Sequence, residues 1–319
     1  MEASSIVWID TLFISFCIIG FIKISTQIFK LVKWFWSMFL RPPKKLTNYG
    51  SWALVTGSTD GIGKSLSFDL ASKGLNLILI GRNINKLETT SNEICAKFGK
   101  DKIKIKTIVI DFEKISGDEI QRLIKAEIED LDVGVLINNV GLSASGARFF
   151  HEVDSEGMRS LVNVNIESLN WVTSAVLPSM LQRRKGAIVN IGSGSSVVVP
   201  SYPLFSMYAA SKSYVAALSR SLSVEYKQRG IDIQCQIPLL VATKMASIKK
   251  SSFFVPSPSE YSKASIRWIG YDSVCVPYWT HALQWCLLSA MPDSLVNSML
   301  LRYFLGLRKK VLQKENRIA

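Results

Sequence analysis

The chain has 319 residues, 48% of them hydrophobic, and a formal net charge of +13. That length holds one α/β domain of roughly 200–250 residues plus extensions. Five cysteines without a CxxC pair and only two histidines offer no metal-ligand spacing, and reduced thiols in a cytosol-facing domain are expected.

Charge concentrates at the ends. Residues 1–50 hold six Lys/Arg against two acids, and residues 301–319 hold six against one. Basic ends beside apolar segments fit an anionic membrane surface, whereas nucleic-acid binding wants a basic face on the folded domain, so no nucleic-acid partner is expected. Ile6 to Ile22 is apolar except for Asp10 and falls at the short end of spanning length. Ile28 to Leu40 places Lys30 and Lys33 among aromatics, which reads as a second helix lying in the interface with its lysines snorkelling. The acidic start argues against a cleaved signal peptide. Basic residues follow the span and acidic ones precede it, so the domain beyond is expected to be cytosolic.

Ser51 to Thr56 reads as a strand that runs into a glycine turn, Gly57-Ser58-Thr59-Asp60-Gly61-Ile62-Gly63. A helix follows to about Lys73, and Asn76 to Ile80 is the second strand. Strand, glycine turn, helix and strand in this order make a dinucleotide site, with Gly57, Ser58, Asp60, Gly61, Ile62 and Gly63 facing the cofactor. Arg82 stands at the end of the second strand, where a free ribose 2′-hydroxyl would want Asp or Glu. A guanidinium suits a 2′-phosphate, so NADPH is expected over NADH. Lys102 to Ile110 alternates lysine and isoleucine and reaches Asp111, placed to meet the adenine. Val133 to Ile137 ends in Asn138-Asn139-Val140-Gly141, at the edge where an open parallel sheet binds its ligand.

Ala187 to Ile191 is a fifth strand, followed by Gly192-Ser193-Gly194-Ser195-Ser196. The next helix carries Tyr208 and Lys212, four apart and therefore on one face. A free tyrosine titrates near 10. Lys212 and an oxidised nicotinamide would both favour the phenolate, making Tyr208 a usable acid. Ser193 or Ser195 would hold the carbonyl oxygen. Near the end, Val274 to Met291 and Leu295 to Leu307 are apolar, but Pro277 and His281 weaken a spanning reading. They fit core or substrate-lid helices, or helices that dip into a membrane. The expected fold is α/β, a Rossmann-type doubly wound parallel sheet. It divides into a membrane anchor (1–47), a catalytic domain (48–255) and C-terminal apolar helices with a basic tail (256–319).

Thr56-Gly57 with Gly61-Ile62-Gly63, Asn138-Asn139-Val140-Gly141, the strand-end serines and Tyr208-x-x-x-Lys212 occur in the order of the short-chain dehydrogenase/reductase family, which residues 48–250 resemble. Arg148-Phe-Phe-His-Glu-Val-Asp154, Ile191-Gly-Ser-Gly-Ser195 and Val241-Ala-Thr-Lys-Met245 look like the plant-type microsomal very-long-chain 3-oxoacyl-CoA reductases. The resemblance implies a tetrad of Asn165, Ser193, Tyr208 and Lys212, with Asn165 binding a water that links Lys212 to solvent. Lys212 also holds the nicotinamide ribose, Asn139 and Gly141 border the cofactor, Pro238 marks the loop beside the nicotinamide, and Thr243 contacts its amide or phosphates. The wider family favours Ser195 by spacing from the tyrosine; the subfamily motif favours Ser193. The implied protein is a single-pass enzyme of the endoplasmic reticulum membrane acting on acyl-CoA. Its implied partners are the condensing enzyme, dehydratase and enoyl reductase of fatty acid elongation, and a homodimer is compatible with it. Residues 142–147 lack the aromatic, proline-containing stretch of that subfamily, which leaves a steroid or another apolar ketone as the alternative substrate. A non-catalytic elongase scaffold is the third reading. The terminal Lys314 to Ala319 is no clean dilysine signal.

Overall fold

The computed structural model describes residues 2–143 and 146–315. They form two compact units, divided after Pro42.

The first unit is one helix, α1 (Glu2–Phe35), closed by a π turn over Trp36–Leu40. The two separate segments expected from polarity are therefore one rod. Lys23, Ser25, Thr26 and Gln27 interrupt the apolar run, but no proline or glycine breaks the backbone there, and the Thr26 hydroxyl bonds back to the Lys23 carbonyl (2.7 Å). Phe13–Leu40 is long and apolar enough to cross a membrane, and most of its large apolar side chains are exposed, Met38 being buried.

The second unit is a seven-stranded parallel sheet in the order β3-β2-β1-β4-β5-β6-β7. Its elements are β1 (Trp52–Thr56), α2 (Gly61–Ser72), β2 (Asn76–Gly81), α3 (Ile84–Phe98), β3 (Ile105–Val109), α4 (Gly117–Ile128) and β4 (Val133–Asn138). Then come α5 (Ser155–Val162), a π turn at Asn163–Glu167, α6 (Ser168–Arg183), β5 (Gly186–Ile191), the short α7 (Gly194–Val197), α8 (Ser206–Tyr226) and β6 (Ile231–Gln236). The chain ends with α9 (Pro258–Trp268), β7 (Val274–Cys275), α10 (Trp279–Ser289) and α11 (Asp293–Glu315).

β4 and β5 are buried throughout, which is why they read as continuous apolar runs rather than alternating ones. β3 is an edge strand with Lys106 on its partly open face. On one face of the sheet α4 packs with α6, and Ile120, Ile124 and Ile128 form a buried stripe at i, i+4, i+8. On the other face α2 packs with α9 through Leu66, Leu70 and Ile266. Each such side chain contributes about 1.5–3 kcal/mol on burial. Residues after 255 thus supply α9 to a helix layer and β7 to the sheet. Strand order reverses between β1 and β4, so a crevice opens at their C-terminal ends.

Candidate active site

The crevice floor is the turn after β1. Gly57 (φ +64°) and Gly61 (φ +53°) occupy left-handed backbone that a side chain would strain. At Gly63 a β-carbon would stand 2.2 Å from the Gly57 carbonyl oxygen and 2.3 Å from Asn139 Nδ2. Asn139 clamps the turn, donating from Nδ2 to the carbonyls of Thr56 (3.0 Å) and Gly57 (3.2 Å). Thr56 Oγ1 accepts from the Asn139 and Val140 amides, both at 3.0 Å. Asp60 caps α2 through the Gly61 amide (2.8 Å) and pairs with Lys244 (2.7 Å). The Lys244 contact, reinforced by that amide, holds its carboxyl below the usual range. Ser58 differs from expectation. It is fully buried, and its hydroxyl donates to the Ile80 carbonyl (3.2 Å), so it braces β2 rather than facing the crevice. Ile62 packs against the core beneath.

Arg82, just past β2, pairs with Glu113 at 2.9 Å. Asp111 accepts the Glu113 amide (3.2 Å) and thereby shapes the turn that presents Glu113. Glu113 escaped the sequence reading because only the fold brings it to Arg82, 31 residues away.

Across the crevice, a buried polar row sets α8 against the sheet. Asn138 Nδ2 donates to Thr173 Oγ1 (2.9 Å) and Asn190 Oδ1 (2.8 Å), and Asn190 Nδ2 donates to Ser219 on α8 (2.9 Å). This places Tyr208 beside the serine turn, where the Ser193 hydroxyl acts on its phenol. Ser193 Oγ also accepts from Ser195, from its amide (3.2 Å) and its hydroxyl (3.0 Å). With both of its acceptor positions taken by Ser195, the Ser193 hydroxyl keeps its one proton free to donate on the side of Tyr208. The two serines are thus unlike: Ser193 meets Tyr208, and Ser195 fixes Ser193.

The expectation that Lys212 sharpens Tyr208 does not hold for the chain alone. Burial raises the Tyr208 pKa, and the Ser193 hydrogen bond offsets only part of that. Lys212 is buried, donates to the Ile191 carbonyl (3.0 Å), and is itself pushed down to about 8 by desolvation. Gly141 lies against it: a β-carbon there would be 3.4 Å from Lys212 Nζ and 3.6 Å from Asn165 Oδ1. Asn165 sits in the π turn, and its carboxamide grips Leu142. Oδ1 accepts the Leu142 amide (2.7 Å), and Nδ2 donates to the Leu142 carbonyl and to Ser211 Oγ, both at 2.9 Å. Both Nδ2 hydrogens are thus engaged within the protein. The Pro238 carbonyl accepts the Gly194 amide (2.8 Å), and Thr243 packs 3.3 Å from where a Gly61 β-carbon would be.

An apolar wall adjoins Tyr208. Tyr202, Phe205 and Phe304 of α11 cluster with ring centroids 4.7–5.9 Å apart. Burial, with Tyr208 next, pushes Tyr202 up to about 12. Leu204 takes a left-handed φ of +62°, its carbonyl accepting the Arg148 amide (3.0 Å) and its side chain buried beside Phe304. Arg308 of α11 pairs bidentately with Glu152, the Nη2–Oε1 arm at 2.5 Å. Ala144 and Ser145, within the stretch read as departing from the reductase pattern, lie outside the described residues, as do residues 316–319. His281, used above only against a membrane span, is fully buried on α10. Its Nδ1 accepts the Leu239 amide (3.2 Å), so Nε2 carries the proton and donates to the Leu240 carbonyl (3.1 Å). Being one of two histidines, within the apolar run Val274 to Met291, was the available signal.

A family model described as short chain dehydrogenase matches residues 51–252. A very-long-chain 3-oxoacyl-CoA reductase-like protein of Arabidopsis thaliana is 50% identical over 301 residues, covering 93% of this chain and 94% of that protein. The human very-long-chain 3-oxoacyl-CoA reductase is 39% identical over 246 residues, 76% of each chain. Among solved structures, a short-chain dehydrogenase from Sphingobium yanoikuyae in complex with NADPH matches with a TM-score of 0.62 at 28% identity, covering 75% of this chain and 92% of the other.

Proposed function

This chain belongs to the short-chain dehydrogenase family, and from that footing we propose that it reduces very-long-chain 3-oxoacyl-CoA to 3-hydroxyacyl-CoA with NADPH at the endoplasmic reticulum membrane. The observation that carries the reading is the Tyr208–Ser193 contact beside the crevice, together with half identity to a reductase-like protein across nearly the whole chain.

The residues present fit NADPH. The glycine turn leaves space that β-carbons would fill, and a cation rather than an acid ends β2. Gly57, Asp60, Gly61, Ile62, Gly63, Arg82, Asp111, Asn139, Gly141, Lys212, Pro238 and Thr243 would hold it, Arg82 offering its guanidinium to the 2′-phosphate. When bound, the cofactor supplies the hydride. Tyr208 gives its phenolic proton to the carbonyl oxygen as negative charge develops there, and Ser193 donates to the same oxygen. Burial keeps Tyr208 protonated until that charge appears. Ser195 holds Ser193 in the donating orientation. Lys212 would orient the ribose, and Asn165 fixes Leu142 and thereby the backbone that borders Lys212. The Tyr202–Phe205–Phe304 wall receives the acyl chain. The α1 apolar helix supports a single-pass anchor, and the basic residues that follow the span support a cytosolic enzyme, working beside the condensing enzyme, dehydratase and enoyl reductase of elongation.

The test is NADPH oxidation by membranes carrying the chain, over a 3-oxoacyl-CoA length series and one ketosteroid. Turnover of long thioesters, lost by about 10²–10⁴ in Tyr208→Phe, is expected. Turnover of the steroid alone would overturn the substrate assignment, and an active Tyr208→Phe would overturn the proton donor.

A further inference from the structure

From Ile233 within β6 to Ser259 at the start of α9 the chain has no acidic residue, while carrying Lys244, Lys249 and Lys250. Within it, Ser252 and Val255 pair as an antiparallel bridge, amide to carbonyl in both directions (2.8 and 3.1 Å). This closes a tight hairpin with Phe253 and Phe254 at its tip. Their side chains are 61% and 43% exposed, and their rings touch edge to face at 5.0 Å. Lys249 and Lys250 are exposed just before the tip.

The hairpin is held from below. Gln284 of α10 donates to the Phe254 carbonyl (3.0 Å), and Phe253 packs on Trp279 (5.3 Å). Trp279, Leu283 and Leu287 recur at i, i+4, i+8, so one face of α10 continues the apolar surface, with Leu287 56% exposed. The tip is therefore a braced loop that holds two aromatic rings in water.

We propose that this surface, the Phe253–Phe254 tip with Lys249 and Lys250 beside it and the Trp279–Leu283–Leu287 face behind it, docks on an anionic lipid surface. Exposed aromatics next to lysines, with the first acid beyond the hairpin, Glu260, held in the α9 cap on Ser257, match the headgroup boundary: rings enter the acyl edge and ammonium groups stay with lipid phosphates and carboxylates. Protein–protein interface cores are depleted in lysine, which disfavours a protein partner. The same chain carries a helix of membrane-crossing length, so lipid is the surface its domain is tethered to. The segment also reaches the crevice, through Thr243 beside Gly61 and Lys244 on Asp60. Docking the hairpin would turn the crevice's own flank toward the bilayer.

The experiment is hydrogen–deuterium exchange on the full chain in nanodiscs of phosphatidylcholine, with and without phosphatidylserine. It reads the hairpin and α10 and needs no turnover, so it is independent of the substrate assignment. Phosphatidylserine should slow exchange across 249–255, and high salt should reverse this. Lys249→Gln with Lys250→Gln should lower the docked-to-free ratio about thirtyfold. Phe253→Ser with Phe254→Ser should abolish protection while NADPH binding is unchanged. Equal exchange in the two nanodiscs would overturn the proposal. So would protection that appears only with acyl-CoA in lipid-free detergent, which marks a substrate lid, or only with another membrane protein present.

Discussion

Removing Glu113 should tighten NADPH binding, because the residue competes for the cation that the 2′-phosphate needs. Arg82 Nη1 is 2.9 Å from Glu113 Oε1, with side-chain exposures of 66% and 31%. A pair this open contributes about 0.2–1 kcal/mol. Charged hydrogen bonds from Arg82 to a phosphate are worth about 1.5–3 kcal/mol. At about 1.4 kcal/mol per tenfold, Arg82→Ala should weaken NADPH about ten- to hundredfold and leave NADH within about twofold. Glu113→Gln, which keeps the size and removes the charge, should tighten NADPH about two- to fivefold. The assay is equilibrium titration of the solubilised chain with each nucleotide, read calorimetrically, without substrate. If Arg82→Ala weakened both nucleotides alike, Arg82 would not face the 2′-phosphate. If Glu113→Gln weakened NADPH, the carboxylate would be positioning the guanidinium rather than competing for it.

Three further outcomes follow from the geometry. Gly63→Ala drives a β-carbon into the Gly57 carbonyl, a backbone atom that cannot yield by rotation, so nucleotide binding should be lost in the same titration while circular dichroism still reports a folded chain. Lys212 titrates near 8 when folded and 10.5 when free, so below pH 8 both states are charged and the fold carries the whole burial cost, about 3 kcal/mol. Between pH 8 and 10.5 the unfolded state keeps its proton longer and stability rises; in denaturant titrations Lys212→Met should be more stable at pH 7, by an advantage that shrinks toward pH 10. His281 is pushed down to about 4 from 6.5, so below pH 6.5 only the unfolded chain takes up its proton, and stability falls toward pH 4 by up to about 3 kcal/mol. His281→Gln should flatten that slope in thermal melts, and an unchanged slope would mean the ring is not held neutral.

What could be read in advance was local. The glycine turn, the buried strands and the Tyr208/Lys212 spacing each declare themselves within a dozen residues, because backbone sterics and periodicity act at that range. What escaped was decided by distant partners. Ser58 looked like a cofactor residue until β2 offered it the Ile80 carbonyl. Ser193 and Ser195 differ by two positions, and only the location of Tyr208 tells them apart. The polar interruption near Lys23 suggested a break in the N-terminal helix that side-chain polarity alone does not impose. Lys212 was read as acting on Tyr208 because spacing shows who shares a face and not where an ammonium points; it points at Ile191.

Phe304, set against Tyr202 and Phe205, comes from α11, far along the chain from the glycine turn. The strands of the nucleotide half, β1 through β4, end at Asn138, 155 residues before α11 begins at Asp293. Domains form as synthesis proceeds. A nascent chain therefore makes its glycine turn well before the wall beside Tyr208, and a messenger truncated before α11 would encode a nucleotide binder with an open-sided pocket.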